Sequence, residues 1–153
     1  MSVRAIPMLL IVFILYNVIA ILHPAPSPDE MSALGAGSAA DAIFRQPLFT
    51  LPMMSGNAKW TFSWGDLIIL LTFLLLFIEL LKSTYTTGVS LLDHGLSMLV
   101  FIACLVEFIT VDSAATSVFF FVMIACLIDV VAGYTIGIRT ARRDLNIGAG
   151  LHG

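Results

Sequence analysis

The chain has 153 residues, of which 59% are hydrophobic and 11% charged, with a mean hydropathy of +1.04 and a net charge of −3. A soluble domain of this length cannot bury so much apolar surface, so lipid must cover part of it. The few basic residues do not form the basic and aromatic surface that binds nucleic acid, which excludes nucleic acid as a partner.

The first apolar run, residues 5–22, follows Arg4 and is long enough to cross a bilayer. It is open to two interpretations, a retained anchor or a cleaved signal peptide. The run is long for a signal peptide, and the small residues Ala25 and Ser27 are each followed by proline, which blocks cleavage. We therefore predict an N-terminal transmembrane anchor over residues 1–22.

Residues 23–65 form the one substantial segment outside the membrane, with sparse charge and frequent Pro, Ala, Gly and Ser. Ser27, Pro28 and Glu30 have the spacing of an N-cap, a first helical residue and the acid of a capping box. This spacing predicts a helix along the membrane surface, continuing to about Ala42, whose apolar side consists of Met31, Leu34 and Phe44.

Two short apolar runs after Pro47 flank the sequence Ser55, Gly56 and Asn57. Such a turn sequence between apolar runs is typical of a β-hairpin. The alternative interpretation is an ordered loop.

Three further apolar runs predict a three-helix membrane bundle over residues 66–138. Ser63 and Asp66 have capping-box spacing at the start of the second span, which ends near Lys82. The third span covers about 94–111, and a tight connection over 112–115 leads into the fourth. The predicted fold class is therefore an all-α integral membrane protein: four transmembrane helices, with a periplasmic segment between helices 1 and 2.

Positive charge predicts the orientation of the four spans. In this topology Arg4 and Lys82 lie on one side, together with the basic residues of the tail 139–153, which are Arg139, Arg142 and Arg143. Short loops rich in lysine and arginine stay in the cytoplasm. We therefore predict an inner (plasma) membrane protein with both termini cytoplasmic.

Each of the last three spans contains a carboxylate: Glu79, Glu107 or Asp129. A charged acid in hydrocarbon costs at least about 2.5 kcal/mol, so each acid must face protein, water or a cation. Glu79 and Asp129 lie in the cytoplasmic half of the bilayer, and Lys82 and His94 enter it from the same side. These four residues predict a proton- or cation-binding network. The alternative is a simple ion pair between Glu79 and Lys82.

Glu107 lies about one turn from the outer end of the third span, where we expect it to reach water. His94, Ser97, Cys104 and Glu107 share an arc of about 140° on that helix. This polar stripe is either a proton path or the buried face of a helix bundle.

Ala125, Asp129, Gly133 and Gly137 recur every four residues along the fourth span. They therefore share one helix face, and the two glycines in GxxxG spacing allow another backbone to approach closely. We predict a helix contact into which Asp129 points, either as a polar clamp in a packing motif or as a proton or cation site.

The sequence predicts no catalytic residue, metal site or cofactor. It contains no Ser/His/Asp set, Gly-rich phosphate loop or HExxH helix, and its histidines are not paired as a bis-His haem requires. Cys104 and Cys126 lie at comparable depths in adjacent spans, where we expect reduced packing residues.

The stretch 64–144 resembles small uncharacterised inner-membrane proteins of proteobacterial type. The residues that carry the resemblance are Glu79, Lys82, Asp93, His94, Gly95, Glu107, Asp129, Gly133 and the run Ala141, Arg142, Arg143, Asp144. The resemblance implies an inner-membrane setting and no activity.

The sequence thus favours a non-catalytic accessory or assembly subunit, whose partners are the lipid bilayer and either a larger membrane protein or further copies of itself. The alternative is a small transporter or ion-conducting subunit that uses Glu79 and Asp129.

Overall fold

The computed structural model describes residues 6–54, 56–85 and 91–149, and in the helical stretches 84–85, 91–94 and 139–149 it describes the backbone alone. Within these residues the fold is mainly helical, as predicted, and the predicted hairpin is present. The elements are α1 (Leu9–Leu22), α2 (Pro28–Leu34), α3 (Ala39–Arg45), β1 (Pro47–Pro52), β2 (Lys59–Ser63), α4 (Trp64–Tyr85), α5 (Leu91–Thr110), a 3-10 turn (Asp112–Ala114) and α6 (Ser117–Ala149).

Two helices in the described part of the chain are long and apolar enough to cross a membrane. The qualifying stretches are Trp64–Ser83 in α4 and Ser117–Ile138 in α6. The described apolar stretches of α1 and α5, Leu9–Leu22 and Gly95–Thr110, are shorter.

Consecutive long helices alternate in direction. α4 and α6 run the same way, since a Cβ on Gly65 would lie 2.8 Å from Val118 Cγ2 and both residues stand second in their helices. α1 runs against α4, because the Met8 N–H before its first turn donates to Glu79 near the end of α4 (3.0 Å). α5 runs against α6, with Cys104 beside Cys126. The helix ends therefore lie at two levels of one bundle.

The segment after α1 contains two short helices where one was predicted. The capping box of Ser27 and Glu30 is confirmed, but the continuous helix to Ala42 is wrong. Gly35 adopts a left-handed conformation (φ 60°), and its N–H bonds back to the preceding turn, which ends α2. Ser38 then caps α3 by accepting the Asp41 N–H. The break turns Phe44 into the bundle core, where it is 1% exposed.

The helix boundaries differ from the predicted ones mainly at the C-terminal end. The apolar stretch of α6 ends at Ile138, as predicted for the fourth span, but the helix itself continues to Ala149. Residues 139–147 contain neither proline nor glycine, so nothing in them interrupts a helix. The predicted tight connection after the third span is confirmed as the 3-10 turn. Arg4 and the side chains of His94, Arg139, Arg142 and Arg143 lie outside the described residues.

The capping box of α2 makes the helix start sensitive to pH. The Ser27 N–H donates to the Glu30 carboxylate (2.7 Å) and the Glu30 N–H to Ser27 Oγ (3.2 Å). The bonds from the Ser27 backbone and side chain hold the pKa of Glu30 below its usual range. Since the folded pKa is the lower one, the carboxylate stabilises the helix above the unfolded pKa and this contribution is lost as pH falls through the folded pKa.

We therefore expect the Glu30 carboxyl to titrate, by NMR, below the usual glutamate midpoint of about 4.3. In the Ser27→Ala variant the midpoint should move back towards that value. A Glu30 midpoint that is the same in both proteins would contradict the capping box.

Candidate functional site

The outer surface of the helix bundle is apolar, and a few polar side chains are buried in its mainly apolar core. Buried polar residues occur at Thr72, Glu79, Ser97, Thr116 and Asp129. Large apolar side chains that are more than half exposed occur on all four long helices, among them Ile14, Phe73, Phe77, Ile109 and Val131. Monomeric soluble proteins rarely expose so much contiguous apolar surface.

Glu79 clamps the start of α1 to the end of α4. One carboxylate oxygen accepts a hydrogen bond from the Lys82 ammonium (3.0 Å), and the other accepts one from the Met8 N–H (3.0 Å). The residue is 6% exposed. The predicted ion pair between Glu79 and Lys82 is confirmed. The bond to Met8 was not foreseen, and it satisfies one of the backbone N–H groups that every helix start leaves open.

The four-residue stripe of α6 lies mostly inside the bundle. Ala125, Asp129 and Gly133 are buried, and Gly137 is half-buried. Ala125 lines a small apolar crevice of about 70 Å³ with α4 residues that include Thr72 and Leu76. The Thr72 hydroxyl donates its proton to the Ile68 carbonyl (2.7 Å), so it is not available as a donor to a ligand in this crevice.

Of the four residues in the predicted network, the structure brings Glu79 and Lys82 into contact. Asp129 is buried on the neighbouring helix α6 and is 5% exposed. The backbone of His94 lies in the first turn of α5, and its side chain lies outside the described residues. The ion pair of Glu79 with Lys82 and the buried Asp129 thus lie in the same bundle.

The polar stripe of α5 lies on the inner side of that helix. Ser97 and Cys104 are buried and Glu107 is half-buried. The expectation that Glu107 reaches water is wrong for one of its oxygens, since Oε1 is buried and accepts no hydrogen bond from the described residues. The Asn17 side chain of α1 lies beside this carboxyl group.

Cys104 and Cys126 meet inside the bundle. Their Sγ atoms are 3.9 Å apart, and both residues are free, buried thiols. Disulfide sulfurs are about 2.05 Å apart, so the two thiols are in contact and unbonded.

A chain of hydroxyl groups joins α1 to the start of α6, and sequence reasoning missed it. Tyr16 Oη donates to the Ser113 carbonyl (2.8 Å) and lies 2.6 Å from Thr116 Oγ1. Because the Tyr16 proton goes to Ser113, the Thr116 hydroxyl donates to Tyr16, and Thr116 Oγ1 also accepts the Phe119 N–H (3.1 Å). The spacing of Thr116 before an apolar run is an N-cap signal that points to this site. Nothing in the sequence pairs it with Tyr16.

Aromatic rings pack together at the end of the bundle where α6 begins. The Tyr16 ring stacks on Phe44 with centroids 4.3 Å apart and meets Phe119 edge-on at 4.8 Å. All three residues are fully buried. The short helix α3 and the long helix α6 thus share one core with α1.

A cavity of about 470 Å³ lies at the end of α1, between α3 and the 3-10 turn. Its polar lining comes from His23, Ser38, Asp112 and Ser113. In the part of the chain that the structure describes, no three His, Cys, Asp or Glu side chains are grouped as a metal ion requires. Two of the polar contacts described above join different elements of the bundle, the bond from Met8 to Glu79 and the contact of Tyr16 with Thr116.

Comparisons with protein families, curated proteins and solved structures find no match to the chain.

Proposed function

We propose that the chain is a four-span protein of the inner (plasma) membrane, with both termini cytoplasmic, and that it acts as a non-catalytic accessory or assembly subunit of a larger membrane complex. The observation that carries the membrane assignment is the apolar outer surface of all four long helices. Lipid is the solvent that favours this arrangement.

The exposure of the two longest apolar helices argues against a soluble protein. A core helix of a soluble domain is mostly buried, whereas 28% of the Trp64–Ser83 window and 44% of the Ser117–Ile138 window are buried. The remaining surface of both helices is apolar and needs a cover. Two long membrane helices are thus the minimum that we propose.

The shorter helices complete a four-span topology. α1 and α5 run opposite to α4 and α6. If each long helix crosses the membrane, each crossing therefore starts on the side where the previous one ended. α5 has 20 residues, or about 30 Å of helix, which matches the hydrocarbon thickness. α1 has 14 residues, and Ala5–Met8 before it extend the apolar run.

The orientation can be tested with reporter fusions. We expect fusions after Gly153 to report cytoplasm and fusions near Gly37 to report periplasm, because the basic residues concentrate on the side of the termini. An enzyme reporter active only outside the cytoplasm and a fluorescent reporter active only inside it give complementary signals. The opposite pattern would overturn the proposed polarity.

The bonding of the polar groups supports a structural role. Glu79 is paired with Lys82 and Met8, and Tyr16 is paired with Ser113 and Thr116. The bonds of Glu79 to Met8 and of Tyr16 to Ser113 and Thr116 join different elements, which is what a subunit that presents its faces to another membrane protein needs.

Purification of the full chain in a mild detergent tests the accessory role. A larger membrane protein recovered in fixed stoichiometry, and lost when the α6 stripe is altered, would support an accessory or assembly subunit. A self-contained oligomer that conducts ions in liposomes would overturn it in favour of the alternative, a small transporter or ion-conducting subunit.

One observation favours that alternative. Asp129 is buried in an otherwise apolar stretch of α6, in the same half of the bundle as Glu79. Buried acids of this kind bind protons or cations in membrane transport proteins. Glu79 and Asp129 would then be the binding residues.

Two substitutions in α6 distinguish the proposals. As a structural clamp, Asp129→Asn keeps the shape and most of the hydrogen bonding, so we expect assembly to be nearly unchanged. Gly133→Leu should impair assembly, because a bulky side chain in the buried stripe separates the helices. Cross-linking and native mass spectrometry measure assembly in both variants. If Asp129→Asn assembles normally but the protein no longer functions, the function depends on an ionisable carboxylate, since an amide cannot ionise. That outcome would contradict the accessory role.

A further inference from the structure

The β-hairpin has one face of apolar side chains that nothing in the described part of the chain covers. Strand register pairs Phe49 with Phe62 and Leu51 with Trp60, so these four residues form one face, here called the apolar face. Phe49 stacks on Phe62 with ring centroids 5.0 Å apart, and Trp60 meets both rings edge-on. Phe49 is nevertheless 47% exposed and Trp60 49%.

The opposite face of the hairpin is polar. It consists of Thr50, Pro52, Lys59 and Thr61, with the two threonine hydroxyls 3.2 Å apart. The segment 47–63 contains Lys59 and no acidic residue. An isolated two-stranded hairpin is marginally stable in water, so the apolar face needs a surface to rest on.

The hairpin is attached directly to a proposed membrane span. β2 ends at Ser63 and α4 begins at Trp64, with no residue between them. The junction is held by the capping box of Ser63 and Asp66 and by the bond from Trp64 N–H to the Gln46 carbonyl (3.2 Å). Six strand residues extend about 20 Å, so every strand residue of the hairpin lies within about that distance of Trp64, where α4 begins.

We propose that the apolar face of the hairpin rests in the headgroup region of the outer leaflet, with phospholipid as its occupant. Aromatic side chains prefer this layer. The helix that follows the hairpin, α4, also exposes large apolar side chains, among them Leu70 and Phe73, which the same lipid would cover. This inference rests on the proposed membrane location.

Strand pairing with a second copy fits the hairpin less well. Pro47 and Pro52 stand at the two ends of β1 and lack the N–H groups that an added strand would bond. Lipid requires no such bonds. The exposed Met54 at the hairpin turn also suits an apolar layer.

The test compares two neighbouring positions on opposite faces, Leu51→Cys and Thr50→Cys. Each full-length variant is placed alone in a lipid nanodisc of phosphatidylcholine and phosphatidylglycerol, and its reaction with a water-soluble maleimide is timed. Cys104 and Cys126 are buried in the bundle and stay in place. We expect the cysteine at position 51 to react about tenfold more slowly than the one at position 50, because interfacial lipid shields the apolar face.

A second measurement leaves both hairpin faces unaltered. The chain has two tryptophans, so Trp64→Phe leaves Trp60 as the single tryptophan, whose fluorescence can be excited selectively. We expect lipids brominated near the headgroup to quench Trp60 more strongly than aqueous acrylamide does.

The outcomes separate this proposal from the one it rests on. A chain that fails to enter nanodiscs overturns both. A chain that enters, but reacts at equal rates at positions 50 and 51 or shows no bromolipid quenching, overturns the hairpin proposal alone. Shielding that appears only in discs with two chains, or only after a partner protein is added, also overturns it, since protein would then be the cover.

Discussion

Replacing Tyr16 with alanine is expected to lower the free energy of unfolding of the bundle by about 3 kcal/mol. The substitution removes a fully buried ring that contacts Phe44 and Phe119, and it leaves the Ser113 carbonyl without its donor. The hydrophobic transfer term is small in a bilayer, because unfolded helices remain in lipid, so lost packing and lost hydrogen bonds make up most of this loss. Detergent-induced unfolding in mixed micelles, followed by circular dichroism, measures it.

Two controls separate the ring from the hydroxyl and from the lipid-facing surface. Tyr16→Phe keeps the ring and should cost about 1 kcal/mol, the usual effect of a lost interhelical hydrogen bond. Ile14→Ala lies on the same helix but faces outward, 51% exposed, and should change stability by less than about 0.5 kcal/mol. Equal effects for Tyr16→Ala and Ile14→Ala would show that α1 does not pack as described.

Alanine at Gly65 and alanine at Gly95 are expected to shift stability in opposite directions. A Cβ at Gly65 would lie 2.8 Å from Val118 Cγ2 and 3.0 Å from the Phe44 carbonyl oxygen. The carbonyl is backbone and cannot turn aside, so α3, α4 and α6 must separate, at a cost of about 1–3 kcal/mol. The close approach of these three elements therefore depends on glycine.

Gly95 provides the matched control in α5. Among the described residues, a Cβ there would meet nothing within 4 Å, so Gly95→Ala should stabilise the helix by about 0.5–1 kcal/mol through the unfolded state. The same unfolding titration compares both variants with the unmodified chain. Equal shifts in the same direction would contradict the close contact at Gly65.

Features that depend on neighbours in sequence could be predicted from the residues. The capping boxes at Ser27 and Ser63 and the ion pair between Glu79 and Lys82 all join residues three positions apart. Such pairs meet whenever the local helix forms, whatever the rest of the chain does. The hairpin followed in the same way from a local turn sequence between two apolar runs.

Errors arose where a local signal was overridden or overlooked. The predicted surface helix was extended through Gly35, although a glycine in the left-handed conformation ends a helix. The apolar stretch of the fourth span ends at Ile138 as predicted, but the hydrogen bonds of a helix do not require apolar side chains, and α6 continues to Ala149. Glu107 was expected in water because of its depth, and burial of Oε1 depends on the neighbouring helices.

Amino-acid order alone was sufficient to indicate a mainly helical chain with apolar stretches that lipid must cover, because hydropathy and capping act over a few residues. The contacts that build the bundle required the folded structure. Tyr16 meets Thr116 across 100 positions, Met8 meets Glu79 across 71, and Cys104 meets Cys126 across 22. Each long-range contact depends on the rotation and tilt of two helices against each other, and apolar residues on every face of a helix leave that rotation undetermined until all neighbours pack together.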